Sequence, residues 1–182
     1  MLKMIIGRKL DAFERQYGYD VNYVREMLDA GVDTVMAYGA LDKMSSYRRD
    51  VPVIPYFTAK LVSIRSGDCG PCVQLVVRMA EAAGVDAAVL RAVLQRDVDA
   101  LPEDAKLAYT FAEGTLAHDP SADALRARIV AKWGKRALIS LAFAMAAAQV
   151  YPVLKYALGH GHACVRVQVG GNDMPVPALT SA

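Results

Sequence analysis

The sequence predicts an all-α fold with a short extended tail, and three observations carry that prediction. Apolar residues recur at spacings of three and four in successive segments, which is the helical period. Glycine, aspartate and proline fall where one such segment ends and the next begins. Strict alternation, the mark of a strand, is confined to Cys164-Val165-Arg166-Val167-Gln168-Val169.

Taken in order, Leu2, Ile6, Leu10 and Phe13 form one stripe of a helix over 2–17 that Gly18 ends. Asp20 is placed to cap a helix over 21–30, Gly31 stops it, and 33–43 reads as a third. The polar run 45–50, then Pro52 and Pro55, marks a connection. We place there the boundary between an N-terminal helical extension (1–50) and a main helical domain (51–160), with 161–182 as a C-terminal tail. The next helix covers 56–65, with Phe57, Leu61 and Ile64 on one face, and leads into Ser66-Gly67-Asp68-Cys69-Gly70-Pro71-Cys72. Pro71 suits a helix's first turn, where its missing N–H has no intrahelical partner to lose.

From 72 to 83, Gln74, Arg78 and Glu81 make a polar stripe opposite Cys72, Val76, Met79 and Ala83, so Cys72 points inward. Gly84 ends this helix and Asp86 caps one over 87–96. Pro102 opens a segment to Gly114, with Glu103 and Asp104 in the turn where the helix dipole favours negative charge. Asp119-Pro120-Ser121 turns and caps a helix to Trp133. The last helix, 135–158, contains the most apolar run, Ala137 to Gln149, and Pro152 should kink it. A membrane span needs about 20 predominantly apolar residues, and Gln149, Pro152 and Lys155 interrupt this one. A core or subunit-interface helix is expected. After Gly159 comes the short strand, and 170–177 reads as irregular.

A chain of 182 residues is long enough for one substantial core. Lys plus Arg number 21 against 19 Asp plus Glu, scattered and not striped, so no nucleic-acid partner is expected. Three cysteines do not make a disulfide scaffold. The apolar start is too short for a signal peptide before charges resume. A cytoplasmic protein with no membrane partner follows.

Cys69-Gly70-Pro71-Cys72 is the one closely spaced reactive pair. Cysteines three apart across a helix start lie within the Cα separation that an unstrained disulfide requires, and N–H groups there favour thiolate. Thiol redox chemistry, a structural pair and metal binding are the three readings. The metal reading would recruit His160, His162 and Cys164 from the tail to complete a tetrahedral zinc site with Cys69 and Cys72. No cofactor is expected. Arg65, one turn before Cys69, could stabilise a thiolate but reads better as a solvated surface arginine. Asp68 reads as a helix cap more than a base. His118 reads as exposed, and Tyr109 and Trp133 as packing residues.

The Cys-x-x-Cys opening a buried helix, Gly84-Val85-Asp86, Leu101-Pro102-Glu103-Asp104-Ala105-Lys106-Leu107-Ala108-Tyr109 and Tyr156-Ala157-Leu158-Gly159 resemble, in that order, the carboxymuconolactone decarboxylase and alkylhydroperoxidase D-like family. The likeness runs from about Pro52 to Gly159. It implies an alkylhydroperoxidase D-like helical bundle, a homotrimer or homohexamer, and peroxidase or disulfide-reductase chemistry on the cysteine pair. Cys72 would attack and Cys69 resolve; thioredoxin, which shares Cys-Gly-Pro-Cys, uses its first cysteine, and the order is left open. The family's relay glutamate and histidines fall here on Phe57, Pro71 and Val76. The expectation is therefore a thiol-disulfide oxidoreductase or peroxidase-like antioxidant protein with catalytic Cys69 and Cys72, acting on a peroxide or disulfide and recharged by a thiol reductant. The alternatives are a non-catalytic oligomeric interaction protein of the same fold and the zinc-binding protein.

Overall fold

The computed structural model describes residues 1–163 and 166–176. Among them are nine helices: α1 (Leu2–Tyr17), α2 (Asn22–Ala30), α3 (Val32–Ser45), α4 (Val53–Arg65), α5 (Gly70–Ala82), α6 (Ala87–Gln95), α7 (Glu103–Leu116), α8 (Ala122–Trp133) and α9 (Lys135–Ala157). A two-stranded antiparallel sheet follows, β1 (Arg166–Val169) and β2 (Asn172–Pro175). The fold is all-α.

The local signals act as their chemistry dictates. Asp86 is the N-cap of α6, its Oδ1 accepting from the Ala88 N–H at 2.6 Å, whereas the N-cap of α2 is Val21, without a side-chain cap, and Asp20 one residue before it accepts from the Asn22 N–H at 2.8 Å. Gly18 ends α1 in the left-handed conformation at φ 54°, which costs a residue without a Cβ little. Helix α4 starts three residues earlier than expected, because Pro55 occupies its first turn, where no intrahelical donor is lost.

The centre of the molecule is α4. Every residue from Pro55 to Arg65 is buried, and α5, α6, α7 and α9 pack around it. The one-faced helix expected over 56–65 is therefore covered on all sides. Leu61, Ile64, Val73, Val77, Leu90, Val93, Leu94, Tyr109, Ile129 and Leu141 fill the core around it. Burial of each such side chain contributes about 1.5–3 kcal/mol. By contrast α9, the most apolar helix by sequence, is buried on one side only. It exposes Ile139, Phe143, Val150 and Val153. By length and composition it is apolar enough to cross a membrane, with 44% of that stretch buried in the fold.

A second apolar cluster sits over the first. Tyr19, Val21, Tyr23 and Val24 pack with Leu10, Phe13 and Val35, and Leu75 of α5 and Leu154 of α9 close it from below. Helices α1 to α3 thus form a layer over α5 and α9. The connection after α3 is pinned: Arg136 holds Asp50 through Nε at 2.7 Å and Nη2 at 2.9 Å, and the Arg49 N–H donates to Ser140 Oγ at 2.9 Å.

The tail corrects one expectation. Residues 172–175 form a strand, with Val169 opposite Asn172 and Gly170-Gly171 as a two-residue turn at φ 61° and 76°. Two adjacent residues at positive φ are what a tight hairpin demands and what paired glycines supply. Of the strand expected from Cys164, residues 166–169 are seen; Cys164 and Val165 lie outside the described residues.

Candidate functional site

The turn between α4 and α5 is held from three sides. Gly67 lies against Pro152 of α9 so closely that a Cβ there would come within 2.5 Å of the Pro152 Cγ. Asp68 adopts φ 45°, and its carbonyl accepts from the Tyr156 hydroxyl at 2.9 Å. The Gly70 N–H, at the first position of α5, donates to the His162 carbonyl at 2.8 Å. The expected cap does not form: the N-cap position belongs to Cys69, which makes no side-chain cap, and the tail's main chain satisfies the orphan donor instead.

Cys69 and Cys72 are joined as a disulfide, with their Cα atoms 5.3 Å apart. Both are buried, and Cys72, as its helical face predicts, points inward. Its surroundings are a cavity of about 260 Å³ between the α1–α3 layer and helices α4, α5 and α9. Leu10, Phe13, Val24, Leu75, Val76 and Met79 give it an apolar wall. Cys69 does not line this cavity.

The polar part of the wall was not legible in the motif. Lys60, on α4, is 4% exposed and donates to the Ser45 carbonyl at 3.0 Å. Burial pushes its ammonium down to about 8, partly opposed by Asp42 at the rim. Tyr19, Tyr23, Tyr38 and Tyr151 complete the wall, with the Tyr23 and Tyr38 hydroxyls 2.7 Å apart. Burial pushes all four phenols up, Tyr151 to about 12, so they remain neutral donors. Lys155, also buried, lies 4.6 Å from the Tyr19 ring centroid and donates to its hydroxyl at 3.3 Å. A signal for Lys60 did exist: Lys60 and Arg65 are the sole charges in α4, and no acidic residue lies one turn from Lys60.

The polar stripe of α5 is not a solvated face but a set of clasps. Gln74 exchanges two bonds with the Gln168 main chain, at 3.0 and 2.7 Å. Glu81 accepts from the Gly170 N–H at 2.6 Å, and Arg78 donates to the Tyr17 and Gly18 carbonyls. One face of α5 thereby fastens both the tail hairpin and α1 over the cysteine helix.

Arg65 is a correction: it is 5% exposed, not a surface residue. The end of α4 is covered by α6 and α7, and Nη1 donates to the Val93 carbonyl. His118 is exposed, while Tyr109 and Trp133 pack against the core as expected. Phe57 is buried and Val76 lines the cavity, so both of these positions, which the resemblance assigns to a relay, carry apolar groups.

For the zinc reading, the tail does return to the cysteine turn, through the His162 carbonyl. Both sulfurs are engaged with each other, His160 Nε2 is 3.0 Å from Glu26 Oε1, and Cys164 lies outside the described residues. Among the described residues, no group of three or more His, Cys, Asp or Glu side chains is placed to hold a metal ion. No family model, curated protein or solved structure matches the chain.

Proposed function

We propose that this protein is a thiol-disulfide oxidoreductase or peroxidase-like antioxidant protein working through Cys69 and Cys72. The observation that carries this reading is the closed pair with Cys72 on the wall of an apolar cavity. In the cycle, a thiol reductant opens the bond: its thiolate attacks one sulfur, the other leaves as thiolate, and a second reductant thiol releases the mixed disulfide. The reduced Cys72 thiolate then attacks a peroxide O–O bond, giving sulfenic acid and an alcohol or water; Cys69 displaces water and restores the disulfide. With a disulfide substrate, exchange transfers the oxidation to the pair directly. The cavity side belongs to Cys72, which favours it as the attacking sulfur. Lys60, able to give up and regain a proton near neutrality, stands on the same wall where no Glu/His relay exists.

The resemblance to the alkylhydroperoxidase D-like family supports this reading, as does the all-α fold, and by the same resemblance the protein is a cytoplasmic homo-oligomer. Burial of both sulfurs favours one second reading, a structural staple of the α4–α5 turn. Thiol counting by mass spectrometry after alkylation, across a series of dithiol redox buffers, separates the two. Reversible closure between about −270 and −180 mV in the folded protein, lost in Cys69→Ser and Cys72→Ser, is the expected result. A pair that reduces only on unfolding would refute catalysis and leave the staple.

A further inference from the structure

A second cavity, of about 580 Å³, lies across α4 from the cysteine cavity and is lined by Arg65, Ser66, Arg96, Thr110, Glu113 and Asp119, among others. Its volume is within the range of small-molecule sites. The Arg65 guanidinium is the anomaly in it. Nη1 donates to the Val93 carbonyl at 3.4 Å, whereas Nε and Nη2 are sealed from the surface and have no hydrogen-bond partner among the described residues. Buried polar groups are nearly always paired, because an unpaired one carries its full desolvation penalty. Nε and Nη2 form one edge of the planar guanidinium, two parallel donors that match the two oxygens of a carboxylate.

The surroundings favour an anion over an internal partner. Glu113 is engaged by the Tyr109 hydroxyl at 2.8 Å, and Asp119 by the Ser121 N–H at 2.7 Å. Arg96, the residue after α6, holds the left-handed conformation at φ 62°, where a glycine would sit without strain, and it lines this cavity. Burial, then the nearby Arg96 charge, push the Arg65 guanidinium below its ordinary range, opposed in part by Tyr109 and Glu113.

We propose that Arg65 and Arg96 form a binding site for a small monocarboxylate, gripped side-on by Arg65 Nε and Nη2 and from the rim by Arg96. The two arginines are balanced by Glu113 and Asp119, so a dianion such as phosphate gains no net field, and the acidic pair suits a carboxylate that also carries hydroxyl or ammonium donors. Nε and Nη2 lie beneath the exposed rim, so Ser66, Glu113 and Ser121 part to let the ligand reach them. The site does not depend on the sulfur chemistry, and its test involves no redox step.

The test is NMR on the full chain, following the Arg65 side-chain Nε–H resonance during titration with acetate, lactate, glycine and inorganic phosphate. The expected result is a saturable downfield shift with the carboxylates, stronger for lactate or glycine than for acetate, weakened about tenfold or more in Arg96→Ala, where one charge-assisted contact is lost. A shift with phosphate alone would overturn the ligand class. No shift with any probe would overturn the site. An Arg65 resonance that moves in ligand-free Glu113→Gln would also overturn it, by showing that Glu113 already satisfies the guanidinium.

Discussion

Replacing Lys60 by Met should make this protein more stable, although it removes a hydrogen bond. The ordinary ammonium value of 10.5 falls to about 8 in the fold. Each unit is worth about 1.4 kcal/mol, so holding the charge costs on the order of 3 kcal/mol at neutral pH. The partner is not orphaned by the change, because the Ser45 carbonyl keeps the Tyr56 hydroxyl as a donor. The sign with pH follows from the direction of the shift: the folded value lies below the unfolded one. The penalty is therefore full below about pH 8, is relieved as pH rises through the window up to 10.5, and is absent above it. Between about pH 7 and about pH 9.5 the wild-type protein should gain about 2 kcal/mol from this group. The window stops there because the phenols of Tyr19, Tyr23 and Tyr38 are held above their ordinary 10.0, a contribution that is lost at higher pH. Urea unfolding followed by far-UV circular dichroism, without reductant, should show Lys60→Met more stable by about 1–3 kcal/mol near neutrality, with the difference shrinking as pH rises. Parallel pH profiles for the two proteins would refute the assignment of a desolvated ammonium.

Two further outcomes test the packing around the site. Gly67→Ala should cost about 1–3 kcal/mol because its Cβ meets the Pro152 ring, and a Gly67→Ala/Pro152→Ala pair should recover part of that loss in thermal unfolding; additive effects would disprove the contact. Arg78→Met should remove the donors to the Tyr17 and Gly18 carbonyls and lower hydrogen-exchange protection of α1 before that of α4, and unchanged α1 protection would show that the helix is held by other means.

How much of this was legible in the sequence depends on how local the cause is. Asp20, Asp86 and Gly18 act within a few residues of themselves, and the helix ends they mark are where the chain places them. The inward turn of Cys72 follows from helical spacing alone. The Gly170-Gly171 hairpin was also a local signal, two glycines between extended runs, and reading 170–177 as irregular overlooked it. What could not be read locally is which faces other segments cover. Gln74, Arg78 and Glu81 look like a solvated stripe until the tail and α1 are seen to use them. Lys60 and Arg65 are cations in the most deeply buried helix, and only tertiary layering on all its faces decides that. The cavity beside Cys72 is likewise a product of assembly, since α1 to α3 contribute half its wall from beyond the stretch on which the family likeness rests.

The clasp between the tail and the cysteine helix has a kinetic consequence. Both sulfurs are buried, Cys72 beside the cavity roofed by α1 to α3 and Cys69 at the turn that the His162 carbonyl holds, so a bulky reagent meets either one only while a cover is parted. If parting is fast relative to reaction, the observed rate is the intrinsic exchange rate multiplied by an opening constant, and that constant belongs to whichever cover is weaker. The cysteine pair would then act as a clock for the fold: loosening Arg78, which fastens α1 over the cavity, changes how often it strikes, while the chemistry of each stroke stays the same.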